Sequence, residues 1–297
     1  MNKHLFGRRR KETPVKINID KTEPVTSEVV LITKIYKPFD IDDWVDHYLN
    51  WCGFDRVYII DNESCCDIAE KFKNNSRVFV EYLPDNRKTP WLQQNYYSRI
   101  ANFNNYYTYQ FYCDDDEYLW FDKTKYKNIN EFLTILRDKD ILQYSIPMVN
   151  ISYESGKTPQ DRTKSMISDC LYVSKDYFGT TNSTYKTFIS KYLKNKMRRI
   201  TFNSPHVVSA YKTVFADNSE VKITCGKDFY LDSHPYELDI KLFHYYHRSL
   251  NEWEEKSNRT RIDVNKQLTY GDYPTQNKTS VYPDNEYTEF LDPFKLS

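Results

Sequence analysis

The sequence predicts an α/β protein with a mainly parallel sheet flanked by helices. Three observations carry that expectation. Val29–Thr33 and Arg56–Ile60 are continuous apolar runs of strand length, as in parallel strands buried on both faces. A stripe at helical spacing separates them. Acidic residues follow directly on two of the chain's apolar runs.

The elements follow in order. Residues 1–27 hold Arg8-Arg9-Arg10-Lys11, Pro14 and Pro24 with little periodicity, and are expected to be a disordered basic tail. Such a tail suits peripheral contact with anionic lipid, although a solvated tail is the simpler expectation. The spacing predicts a helix over Asp40–Trp51, with Ile41, Trp44, Val45, Tyr48 and Leu49 on one side. The second strand ends in Asp61-Asn62-Glu63-Ser64. A helix over about 67–74, a strand over 77–82, a helix over about 91–104 and a strand over 106–113 come next. Alternation of this kind implies right-handed βαβ units. Beyond Ile141 the pattern loosens, with strands expected at 141–146 and 207–211 and a short helix from Ser249. The expected division is a tail over 1–27, one domain over 28–262 and a C-terminal extension over 263–297.

Composition excludes several classes. The 42 basic and 42 acidic residues cancel, so no global field favours nucleic acid. No apolar run approaches the roughly 20 residues that span a bilayer, and the basic N-terminus lacks the apolar stretch of a secretory signal. A cytoplasmic protein is expected. The six cysteines lack the spacing of a zinc site and are read as free thiols.

The chemistry concentrates in Asp114-Asp115-Asp116-Glu117, which interrupts the aromatic run from Phe111 to Trp120. Carboxylates at a strand end can share a hard divalent ion whose remaining positions take phosphate oxygens. In open α/β sheets ligands bind outside the carboxyl ends of strands, and Asp61 and Asp114 occupy equivalent positions on two of them. Both are expected to face one crevice.

Asp114, Asp116 and Glu117-Tyr118-Leu119 fit the acid signature of nucleotide-sugar glycosyltransferases with the GT-A fold. The wider chain resembles the family 2 and family 92 (DUF23-like) enzymes in two further segments. One is the helix Asp43–Tyr48 running into Gly53–Ser64. The other is His244-Tyr245-Tyr246-His247-Arg248-Ser249-Leu250-Asn251-Glu252-Trp253. The resemblance implies a single GT-A domain with a Rossmann-like sheet, Mn²⁺ or Mg²⁺, and a UDP- or GDP-sugar donor. The acceptor would be a glycan hydroxyl, attacked with inversion. It implies that Asp61 contacts the base or ribose, that Asp114 faces the ribose or the metal, that Asp116 is the main metal ligand, and that Glu117 braces the motif. His244 either completes the metal site or is a core histidine. Arg87, Lys88 and Lys186 answer the donor's charge, while Trp91, Tyr96 and Tyr97 are stacking candidates of which at least one is core. The family's Gly-rich segment survives only as Ser152–Gly156, which leaves Glu154 and Asp169 as candidates for the base. Two other readings use the same residues: a metal-dependent phosphotransferase or nuclease, and a non-catalytic carbohydrate-binding protein.

Overall fold

The computed structural model describes residues 19–33, 40–64, 66–83, 92–152, 172–174, 185–204, 207–208, 211–215, 220–222, 238–245, 260–261, 266–267 and 281–282. The first half alternates strands and helices: β1 (Ser27–Thr33), α1 (Asp40–Asp46), β2 (Arg56–Asp61), α2 (Ile68–Phe72), β3 (Val78–Tyr82), α3 (Leu92–Phe103) and β4 (Tyr109–Cys113). Next come β5 (Glu117–Phe121), α4 (Ile129–Asp138), β6 (Gln143–Ser152), β7 (Tyr172–Ser174), β8 (Tyr185–Ser190), β9 (Phe202–Ser204), β10 (Val207–Val208), β11 (Lys212–Phe215), β12 (Glu220–Lys222) and β13 (Ile240–His244).

The four strands β3-β2-β1-β4 lie side by side and all parallel, in that order. The chain therefore moves outward from β1 through β2 to β3 and then returns to the other side of β1. That reversal is a topological switch point, and it opens a crevice at the carboxyl ends of β1 and β4. Beyond β4 the sheet becomes mixed: β8 is antiparallel to both β4 and β6, and β11 pairs parallel to β6. The expected α/β class holds, with its parallel character concentrated in the first half.

Both faces of the nucleus are buried. Val29, Leu31, Val57, Ile59 and Phe111 pack with Trp44, Tyr48, Ile129 and Phe132 on one side. Val30, Ile60 and Tyr112 pack with Tyr97, Ile100 and Ala101 of α3 on the other. Alternate residues of one apolar run thus feed two different cores.

The expected helix over 40–51 keeps its apolar stripe, with Ile41, Trp44, Val45, Tyr48 and Leu49 all buried. Its last turn is a π-helix over His47–Trp51, in which the Cys52 N–H reaches the His47 carbonyl at 2.8 Å. The widened turn serves a neighbour. Among the described residues, strand β5 pairs only with β13, on one edge. Along its other edge Tyr48 Oη donates to the Glu117 carbonyl at 3.0 Å and accepts from the Leu119 N–H at 3.3 Å, while His47 Nε2 bonds the Leu119 carbonyl at 2.8 Å. Side chains thus satisfy backbone groups that a missing strand would otherwise pair. Gly53 follows at φ +78°, and a Cβ there would meet the Cβ of Asn128 at 2.8 Å.

Three boundaries differ from expectation. Ile19 and Val25 are buried and Ser27 already belongs to β1, while residues 20–24 between them are exposed. Of the strand expected over 207–211 only Val207–Val208 forms β10, and β11 begins beyond it at Lys212. Val281–Tyr282 pairs antiparallel with β7, which brings part of the expected extension onto the sheet. The helix expected from Ser249 lies outside the described residues. Among the described residues no helix is long and apolar enough to cross a membrane.

Candidate metal and nucleotide site

The acid run is a tight reversal and not simply a strand end. Strand β4 stops at Cys113, the Glu117 N–H bonds the Asp114 carbonyl at 3.2 Å, and β5 leaves in a new direction. Aromatic side chains hold the backbone on either side of the turn. Trp44 Nε1 donates to the Asp114 carbonyl at 3.1 Å, and Tyr97 Oη donates to the Cys113 carbonyl at 3.0 Å. Burial pushes the Tyr97 phenol well up. Tyr97 is therefore a core strut and no stacking platform.

Three of the four carboxyls, those of Asp114, Asp116 and Glu117, meet different surroundings. Asp114 is one-third exposed and receives hydrogen bonds on both oxygens, from Lys186 Nζ at 2.7 Å and from Gln93 Nε2. Glu117 is 1% exposed, accepts the Asp114 N–H at 2.8 Å and lies 3.3 Å from Lys186. Burial raises the Glu117 carboxyl well above the usual range against the opposing pull of Lys186, with a further push from Asp114 and Asp116. Burial also acts to lower the wholly buried Lys186 ammonium, but Asp114 and Glu117 override it and hold the group above the ordinary lysine value. Lys186 was expected to face the donor's charge. The structure buries it beneath the turn as the counter-ion of two acids, a role with no local sequence signal.

Asp116 is presented to a different partner. Strand β13 pairs antiparallel with β5, and the register sets His244 opposite Glu117. The Tyr245 N–H then donates to the Asp116 carbonyl at 2.8 Å, and His244 Nε2 lies 3.6 Å from Asp116 Oδ1. Asp116, Glu117 and His244 each offer a ligand atom within 4.8 Å of the others. Two carboxylates and an imidazole suit Mn²⁺ or a similar divalent ion. The residues present thus fit a metal, with Glu117 sharing its charge with Lys186.

Asp61 closes β2, two strands from β4, which places it about 10 Å across the sheet at usual strand spacing. It is buried, and its Oδ1 accepts the Ser64 N–H at 2.8 Å, so it shapes the turn in which Glu63 takes φ +60°. The structure therefore gathers Asp114, Asp116, Glu117, Lys186 and His244 at one turn, with Asp61 along the same carboxyl edge. Arg87, Lys88, Trp91, Glu154 and Asp169 lie outside the described residues. Gln93 is the residue sequence reasoning passed over. Its signal was the four-residue spacing to Tyr97, whose Oη accepts from Gln93 Nε2 at 3.0 Å.

No protein-family model matches the chain, and no curated protein matches it. Solved structures do. A fragment of S. aureus TarS, residues 1–349, aligns at 13% identity over 83% of this chain and 68% of that one, with a TM-score of 0.37. Mannosyltransferase PcManGT from Pyrobaculum calidifontis, in complex with GDP-Man and Mn²⁺, aligns at 12% identity over 64% of this chain, with a TM-score of 0.34; the match spans 51% of its length. The 4-diphosphocytidyl-2C-methyl-D-erythritol synthase of Anaerococcus prevotii DSM 20548 aligns at 9% identity over 60% of this chain and 74% of that one, with a TM-score of 0.32. Likeness this remote carries no functional inference.

Proposed function

We propose that the chain is a metal-dependent glycosyltransferase with a GT-A type domain, related to the family 2 and family 92 enzymes. It would move a sugar from a UDP or GDP donor to a glycan hydroxyl with inversion. The observation that carries this reading is the pairing of Asp116 with His244 beside the crevice at the β1/β4 switch point. A nucleotide lying along that crevice would set its base or ribose near Asp61 and its diphosphate toward the acid turn. Asp116 and His244 would hold the ion, with Glu117 behind them. A divalent ion bound there supplies Lewis-acid stabilisation of the departing diphosphate.

The protein's own groups supply the rest. Lys186 and Gln93 fix Asp114, so the turn is set before the donor arrives, which is the preorganisation that electrostatic catalysis needs. Arg87 and Lys88 are assigned to the diphosphate from the sequence resemblance. In the reaction the bond from the anomeric carbon to the diphosphate oxygen breaks and a bond to the acceptor oxygen forms on the opposite face. The acceptor's proton passes to a carboxylate base, for which Glu154 and Asp169 are the candidates.

The test is calorimetric titration of the full chain with UDP, GDP and ADP, each with Mn²⁺, with Mg²⁺ and with EDTA. UDP or GDP binding that needs the ion, and that Asp116→Asn loses, supports the reading. Nucleotide binding indifferent to metal, or none at all, overturns it.

A further inference from the structure

A second cavity, of about 360 Å³, opens on the α3 side of the sheet and runs from the amino ends of β1, β2 and β4 to Glu81 near the end of β3. Glu28, Arg56 and Gln110 stand at the amino ends of β1, β2 and β4 and form its floor, while Phe103 closes α3 and Tyr106 follows it at the rim. Ten residues of α3 separate Phe103 from Gln93 at the acid turn, about 15 Å at the helical rise. None of Asp61, Gln93, Asp114 and Asp116 lines the cavity.

The floor is polar, buried and ordered. Glu28 and Gln110 are 4% and 2% exposed, and Gln110 Nε2 donates to Glu28 Oε1 at 2.7 Å. Arg56 Nε lies 3.1 Å from Glu28 Oε2, and its guanidinium is 4.8 Å from the centre of the Phe79 ring and 5.7 Å from that of Tyr107. On the near wall Glu81 accepts from Tyr58 Oη and Arg99. The rim is aromatic and open: Phe79 is 48% exposed, Phe103 74% and Tyr106 82%.

The geometry points to a binding site for a short neutral oligosaccharide, distinct from the nucleotide crevice. The charge count selects against ions. Two acids face two arginines, so the lining carries no net charge to hold a phosphate or an ammonium ligand, while the buried Arg56 Nε has no hydrogen-bond partner among the described residues. Alternating carboxylates, guanidinium and amide instead suit hydroxyl groups, each of which donates and accepts at once. Open aromatic faces suit the apolar face of a sugar ring, and the volume lies within the usual range for small-molecule sites. The inference goes beyond the donor reading and does not depend on it.

The experiment titrates the full chain in EDTA with maltotriose, cellotriose, mannotriose and chitotriose, followed by saturation-transfer NMR and calorimetry. At least one trisaccharide should bind, with the strongest transfer to ring C–H protons. Phe103→Ala and Tyr106→Ala should each weaken that binding about ten-fold, with unchanged melting. Both residues are largely exposed, so neither truncation empties the core. Binding of none of the four sugars overturns the inference, as does binding that both variants retain. A self-association that Tyr106→Ala abolishes, seen by sedimentation without sugar, would assign the groove to a second copy and overturn it too. Nucleotide titration with Mn²⁺ in the same variants keeps the two readings apart, since failure there touches only the donor crevice.

Discussion

Replacing Lys186 by methionine keeps most of the aliphatic stem and removes the charge between Asp114 and Glu117. The pairs are close, at 2.7 Å and 3.3 Å, and the ammonium is wholly buried. Removing one partner of a buried pair costs about 3–5 kcal/mol, because the other charge is left without compensation. Asp114 is one-third exposed, so water takes part of its load, and the expected loss sits near the lower end, about 3 kcal/mol. A domain with typical stability of about 5–15 kcal/mol remains folded after such a loss.

Urea unfolding at pH 7 in EDTA reads the loss directly, provided the slope with denaturant is unchanged. At that pH Lys186 is protonated in the folded and unfolded chain alike, since its folded value is raised and titration lies far above neutrality. Adding Glu117→Gln to the Lys186→Met variant should recover part of the stability by removing an uncompensated carboxyl. A loss under about 1 kcal/mol would refute the counter-ion role, as would a double variant in which the two losses simply add.

Asp116→Asn should abolish metal-dependent nucleotide binding with little change in melting, because its backbone carbonyl still accepts the Tyr245 N–H; metal-dependent binding that survives would remove Asp116 from the site. His244→Ala should raise the Mn²⁺ concentration needed for nucleotide binding, with excess Mn²⁺ restoring it, whereas a large melting shift and an unchanged Mn²⁺ requirement would make His244 a core residue. Asp61→Ala should raise the donor KM more than it lowers kcat, and should cost about 1 kcal/mol of stability through the lost Ser64 bond; the stability loss alone, with KM intact, would leave Asp61 only its turn. Burial pulls the His47 imidazole down to about 3, so the folded chain keeps it neutral while the unfolded chain takes up a proton below its ordinary value of 6.5. Its contribution is therefore present above about pH 6.5 and lost as pH falls toward 3, with a limiting slope of about 1.4 kcal/mol per pH unit. Urea unfolding from pH 7 to 5 should show a shallower slope in His47→Gln, and equal slopes would refute the assignment.

The parallel nucleus was legible because strands buried on both faces leave continuous apolar runs, as in Val29–Thr33. The helix before β2 was legible because Trp44, Val45 and Tyr48 repeat at helical spacing. Helix α4 was legible in principle and went unread: Asn128 accepts the Glu131 N–H at 3.1 Å, a cap whose three-residue spacing is written in the chain. The pairing of β5 with β13 was not legible, since a contact between elements so far apart leaves no local pattern. The same limit hid the burial of Lys186, because charge compensation is a tertiary property. The burial of Ile19 and Val25 is tertiary too: both are isolated apolar residues in the sequence, and each joins a different core cluster.

Four consecutive acids are useful here because the fold gives them different partners. Asp114 and Glu117 are turned inward by Lys186, Gln93 and the Asp114 N–H, and they fix the reversal. That reversal releases β5 from the main sheet, and it can leave only because His47 and Tyr48 satisfy the edge it exposes. Freed in this way, β5 pairs with β13, and the pairing carries His244 to Asp116. The widened last turn of the first helix, remote from the acids in sequence, is thus part of what assembles the candidate metal site. A lone acidic triplet on a solvated loop would have none of this support, and the difference lies in the supporting residues more than in the acids themselves.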